Sequence, residues 1–176
     1  MPFEVIETQN LFSGKVFNVR RDKVRKKDGG VMELDVVEHH DSVTILPLDD
    51  DGNIWFVSQY RHPAGEFLLE LPAGVIEVGE SQAECANREI QEEIGMRAGR
   101  LEEVGGFYLV PGYSTEFMHI FLARDLHPSS LEGDEDEIIL VEKISLDKAY
   151  SMAETGLIKD VKSLGALLLL KPVLYN

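Results

Sequence analysis

Six carboxylates, Glu77, Glu80, Glu84, Glu89, Glu92 and Glu93, fall within seventeen residues of a 176-residue chain. Like charges packed this densely repel one another unless cations neutralise them, so the cluster points to a divalent metal. The spacing is specific. Five residues separate Gly74 from Glu80, and seven more precede Arg88-Glu89-Ile90, after which come Glu92-Glu93, Gly95 and the apolar Met96. On a helix, Glu89 and Glu93 stand one turn apart on one face, within reach of a shared ion, and Arg88 is placed to hold Glu92. Hard oxygen ligands of this kind suit Mg²⁺ or Mn²⁺ rather than zinc, which favours His and Cys.

The local signals predict the helix that this chemistry requires. Ser81 and Glu84 form a capping box, and Gly95 sits where a left-handed residue ends a helix. Ala83, Ala86, Ile90 and Ile94 recur at helical period as an apolar stripe that can seat on a sheet, with Glu92 opposite and Glu89 and Glu93 along one edge. A Glu-rich helix is ordinarily a solvated face laced by i,i+4 pairs. Here three carboxylates share one basic neighbour on the helix, which is a weak arrangement for stability alone.

The segment from Gly74 to Met96 resembles the Nudix box, GX5EX7REUXEEXGU with U a bulky aliphatic, at every fixed position; Met96 is a mild departure at the last U. Seven fixed residue types at ordinary frequencies make a chance match rarer than roughly one in ten million per start site. The resemblance implies an α/β fold, a Nudix-type α/β/α sandwich of mixed sheets. It also implies hydrolysis of a nucleoside diphosphate linked to another group. The metal ligands it implies are Glu89, Glu92 and Glu93 with the backbone carbonyl of Ala73, while Glu80 and Arg88 build the loop and helix.

Outside the box, Gln59-Tyr60-Arg61 and Glu70-Leu71-Pro72-Ala73-Gly74 resemble the approach to the box in ADP-ribose pyrophosphatases and related nucleotide-sugar hydrolases. So do Pro111-Gly112-Tyr113-Ser114-Thr115-Glu116, the acidic run 134–138 and the ending 156–163. This similarity implies substrate contacts from Arg61, Glu70, Pro111 and Glu116. Arg61 would pair with a phosphate, and Glu92 with either Glu135 or Glu137 would complete the catalytic set, one of the latter two acting as the base. The expected reaction is ADP-ribose to AMP and ribose 5-phosphate. A GDP-mannose or other nucleotide-sugar hydrolase is the alternative, and a non-catalytic nucleotide-binding Nudix module is a further one. Taken singly, each outer motif has an ordinary explanation: a turn at Pro111-Gly112, a solvated acidic loop, a surface Arg61. Their order relative to a complete box gives them weight.

A chain of this length can bury roughly 70% of its unfolded surface, and its composition, 44% hydrophobic and 28% charged, is that of a globular protein. A net charge of −15 argues against a nucleic-acid partner. A single cysteine, Cys85, cannot form an internal disulfide and fits a reducing, cytoplasmic setting. Met1-Pro2-Phe3-Glu4 lacks the pattern of a leader, and the apolar run 164–170 is too short to span a bilayer, so no membrane association is expected.

Punctuation along the chain predicts strands at 3–10, 14–27, 31–38, 42–46, 54–60, 67–71, 101–109, 116–123 and 138–144. Besides the box helix, helices are predicted at about 145–155, capped by Ser145 and ended by Gly156, and at about 160–170, stopped before Pro172. Residues 1–40 are expected to form an N-terminal β-hairpin extension, turning at Asp28-Gly29-Gly30, and residues 41–176 the catalytic domain. Seven of the seventeen Lys and Arg residues lie at 15–27. They read more readily as a solvated hairpin that pairs with an acidic surface, such as that of another subunit, than as an anion site, since basic residues on an edge strand also guard against aggregation. By resemblance, the extension is expected to reach a second subunit in a homodimer, with Phe17 a candidate for stacking on the substrate base.

Overall fold

The computed structural model describes residues 2–133 and 139–175. Residues divide into two compact units: Met1–Asp41 with Tyr108–Phe117, and Ser42–Phe107 with Met118–Asn176. The N-terminal unit is thus larger than the expected extension, because it includes the segment carrying Pro111.

In that unit, β1 (Phe3–Ser13), β2 (Asn18–Lys26) and β3 (Val31–Glu38) form an antiparallel sheet in the order β1-β2-β3. The basic strand is therefore central and not, as expected, an edge. Its cations are matched by the acidic residues of its neighbours: Arg21 with Asp35 at 2.7 Å, Arg25 with Glu4 at 3.0 Å, and Arg20 with Glu38. Cross-strand pairs of opposite charge explain how so basic a strand sits in a sheet. Val37 bridges Ser114, and the backbone N–H of His39 donates to the Thr115 hydroxyl at 3.0 Å, which ties the 108–117 segment to β3.

The larger unit holds two sheets. One is β7-β4-β9-β8, made of β4 (Ser42–Pro47), β7 (Ala73–Val75), β8 (Met96–Tyr108) and β9 (Phe117–Pro128); the other is β10-β5-β6, made of β5 (Asn53–Arg61), β6 (Glu66–Glu70) and β10 (Ile139–Ser145). Strands β4 and β9 run parallel, which makes the first sheet mixed. Every residue of β4 is buried, as expected for a strand covered on both faces. Alternate side chains go to opposite faces. Val43, Ile45, Val57, Phe121 and Ala123 join Cys85, Ala86, Ile90 and Ile94 around α1 (Gln82–Glu93). Leu46, Ile54, Phe56, Ile120 and Leu122 join Ala149 and Tyr150 of α2 (Leu146–Glu154) and Ala166, Leu167 and Leu170 of α3 (Val161–Leu174). The expected α/β/α arrangement is the one observed.

Three local expectations need correction. Helix α3 does not stop before Pro172 but runs through it to Leu174. The missing N–H falls in the last turn, where it removes a single bond, and the Tyr175 N–H still closes on Lys171 O at 3.2 Å. Ser145 stands at the N-cap of α2, but its side chain makes no capping hydrogen bond. Ala83 is exposed, and Cys85 fills the apolar face of α1 instead. No described helix is long and apolar enough to cross a membrane.

Candidate active site

The loop from Gly74 to Ser81 and helix α1 are built around one cation. The helix starts at the expected capping box, with the Glu84 N–H donating to Ser81 Oγ at 3.3 Å and the Ser81 N–H to Glu84 Oε2 at 2.9 Å. It ends where Gly95 takes φ 68°. Arg88 donates through Nε and Nη2 to both oxygens of Glu80, at 2.8 and 3.0 Å. Its Nη2 also reaches the Val75 carbonyl at 3.2 Å. Its Nη1 is shared between Glu89 Oε1 at 2.7 Å and Glu92 Oε2 at 2.9 Å. Hydrogen bonds to Glu80 raise the Arg88 pKa above its usual value, and those from Arg88 lower that of Glu80. The structural role expected for Glu80 and Arg88 and the Arg88–Glu92 pair are both present. Three negative charges to one positive leave the cluster acidic.

Two box carboxylates lie against the backbone of β7. Glu89, 8% exposed, packs on Gly74 so closely that a Cβ there would stand 1.7 Å from Glu89 Oε1. Glycine at 74 is therefore a requirement of close approach. Glu93 Oε2 accepts from the Ala73 N–H at 3.3 Å. That backbone is in turn fixed to β4: Ala73 and Gly74 pair with Thr44 and Val43, and the Pro72 carbonyl accepts from Ile45 N at 2.9 Å and Thr44 Oγ1 at 3.2 Å. Among the described residues no three His, Cys, Asp or Glu side chains stand ready together as a metal cage. The donors nevertheless suit Mg²⁺ in kind, being carboxylate oxygens gathered on a glycine cradle.

A second charged group enters through β5 and β6. Arg61 donates from Nε and Nη2 to the two oxygens of Glu70 at 2.9 and 2.7 Å, a bidentate pair. Glu70 is 2% exposed and also receives a hydrogen bond from Lys162 Nζ. Burial disfavours its ionised form, yet the Arg61 hydrogen bonds and the Lys162 charge outweigh this and hold its carboxyl below the usual range.

The larger unit thus carries Arg61, Glu70, Ala73, Glu89, Glu92 and Glu93, while Phe17, Pro111 and Glu116 belong to the N-terminal unit. Phe17 is exposed and packs on Phe12 with ring centroids 6.0 Å apart; Pro111 is exposed in a turn; Glu116 lies 3.7 Å from His39 Nδ1. Glu135 and Glu137 lie outside the described residues. Sequence reading gave no role to Asp160, Lys162 or Ser163. The signal available was Asp160, an N-cap residue three positions before a serine.

The NUDIX domain profile matches residues 38–165 of the chain. The chain belongs to the Nudix family. It is 34% identical over 162 residues to the ADP-ribose pyrophosphatase of Bacillus subtilis, covering 91% of this chain and 88% of that protein. It is 31% identical over 177 residues to the GDP-mannose pyrophosphatase of Pectobacterium atrosepticum, covering 93% and 91%. Its fold is similar to the crystal structure of an ADP compounds hydrolase, with a TM-score of 0.90, 25% identity and coverage of 99% of this chain and 95% of that one. Together with the complete box, these likenesses identify a Nudix pyrophosphohydrolase.

The Glu70 charges give a pH test. Glu70→Gln leaves Lys162 and Arg61 without their shared anion and is expected to destabilise the fold by about 3–5 kcal/mol at neutral pH. A carboxyl whose folded pKa lies below its ordinary 4.5 stabilises the fold fully above that value and loses the contribution as pH falls toward the folded pKa. The gap between wild type and variant in urea melts should therefore narrow below pH 4.5. A gap independent of pH would show that the charge is not responsible.

Proposed function

We propose that this Nudix chain hydrolyses the pyrophosphate of a nucleoside diphosphate linked to a sugar, foremost ADP-ribose, which is cleaved to AMP and ribose 5-phosphate. The observation that carries the reading is the seating of Glu89 and Glu93 on the Ala73–Gly74 backbone within a complete box. The names of the relatives support the substrate class. Glu89, Glu93 and Glu92, with the Ala73 carbonyl, would hold Mg²⁺, with Mn²⁺ an acceptable substitute. The chemistry supplied by such an ion is charge neutralisation at the phosphate oxygens and acidification of a water.

The chain's own residues do the rest. Glu80 and Arg88 hold the loop in shape around the acidic cluster. Arg61, fixed by Glu70, pairs with a substrate phosphate and stabilises the charge that grows there during cleavage. Glu135 or Glu137 takes the proton of the attacking water. Pro111 and Glu116 contact the substrate, and Phe17, on the extension that reaches a second subunit, stacks on the base there. Residues 1–40 serve as a β extension that joins two copies in a homodimer, and 41–176 as the hydrolase domain. Exposed Phe3, Val5, Ile6, Leu11 and Phe12 along β1 support the dimer. The free Cys85 and the net charge of −15 support a cytoplasmic protein with no nucleic-acid partner.

Purified protein incubated with Mg²⁺ and ADP-ribose, GDP-mannose, other nucleotide sugars, dinucleotides and nucleoside triphosphates should release AMP from ADP-ribose fastest. GMP from GDP-mannose as the faster product would move the assignment to that sugar nucleotide, and no product from any of them would remove the hydrolase reading. Glu135→Gln and Glu137→Gln, assayed side by side on the best substrate, separate the two bases. Light scattering should give twice the 19.7 kDa chain mass; a monomeric mass would contradict the dimer.

A further inference from the structure

A buried run of alternating charges links the start of α3 to the strand that enters the box. Lys162, 7% exposed, donates from Nζ to Glu70 and to Asp160 Oδ2, the latter at 2.9 Å. Asp160 caps α3, accepting from the Ser163 N–H at 3.0 Å and from Ser163 Oγ at 2.5 Å. Ser163 Oγ, fully buried, accepts in turn from the Leu71 N–H at 2.7 Å. On its other side Glu70 holds the Arg61 fork, and the Arg61 side chain is 40% exposed.

Stability alone is a poor explanation for this arrangement. Taking Glu70, Lys162 and Asp160 largely out of water costs much of what their attraction returns, and apolar side chains of similar volume often serve as well or better. Fixed geometry is what such a network supplies. The Glu70 carboxylate is gripped from two sides, so the plane of the guanidinium bound to it is set. The next residue, Leu71, is pinned to Ser163, and two residues later the chain reaches Ala73, where Glu93 bonds.

We propose that Lys162 is a positioning residue for the hydrolytic reaction: by clamping Glu70 against Arg61 it fixes the guanidinium in the orientation that meets a substrate phosphate. This rests on the pyrophosphatase reading above. Lys162 does not touch the substrate; it acts through Glu70 on Arg61.

The test uses the full chain and the substrate cleaved best in the panel. Lys162→Met should raise KM at least ~10-fold with a smaller change in kcat, the scale on which loss of a supporting group is felt. In an Arg61→Ala background, the same change should alter KM by less than about 2-fold, because residues acting through one another are not additive. Lys162→Arg, which keeps the charge, should return KM toward wild type. Should Lys162→Met fold poorly, Lys162→Gln, which keeps a hydrogen-bond donor toward Glu70 without the charge, takes its place and should show a raised KM that is likewise lost in the Arg61→Ala background. An NMR readout needs no turnover: the Arg61 Nε–H, bonded to Glu70 at 2.9 Å, should exchange with solvent at least ~10-fold faster in Lys162→Met. Equal KM effects in both backgrounds, or unchanged Arg61 exchange, would overturn the proposal. A wild type that hydrolyses nothing would sink the hydrolase reading, while the exchange experiment would still decide the role of Lys162.

Discussion

Arg88 brings one positive charge to three carboxylates, and the site is organised around that imbalance. Glu80, Glu89 and Glu92 all accept from its guanidinium, which also holds the Val75 carbonyl. The grip gives the loop its shape and brings Glu89 onto Gly74. It does not neutralise the cluster. The remaining negative charge suits the divalent cation proposed above, so the residue that builds the loop also leaves it acidic.

The rest of the fold supplies rigid backing. Strand β4 is buried on both faces because alternate side chains enter separate cores, with α1 on one side and α2 and α3 on the other. It carries β7 at its edge, and β7 is the backbone on which Glu89 and Glu93 rest. Helix α3 contributes from the opposite face through Ser163 and Lys162. The segment 70–74 is thus held from both layers of the sandwich, which suits a site whose chemistry depends on fixed charges.

The box helix was legible in the sequence because its signals are local. A capping box, a terminal glycine and i,i+4 carboxylates act within a turn or two, and all recur in the structure. The misplaced details have physical causes as well. Pro172 suggested a stop because proline breaks helix interiors, yet near a C-terminus it removes little. The basic strand suggested an exposed edge because its counter-charges lie on strands that only pairing brings alongside. Least legible was the Glu70–Lys162 pair, 92 residues apart in the chain. No periodicity or spacing connects such residues; only the packing of α3 on the sheet does. Glu135 and Glu137 stay as the sequence presents them, two candidates on one acidic run.

The proposed pyrophosphate hydrolysis depends on the close seating of Glu89 on Gly74. Gly74→Ala tests it most directly, since the added Cβ would stand 1.7 Å from Glu89 Oε1 and must drive that carboxylate away. Measured on the best substrate over a range of Mg²⁺ concentrations, the variant should lose at least ~10-fold in kcat and need more Mg²⁺ for half-maximal rate. Its melting temperature should stay close to wild type. Unchanged turnover and unchanged Mg²⁺ dependence in a folded variant would contradict the account.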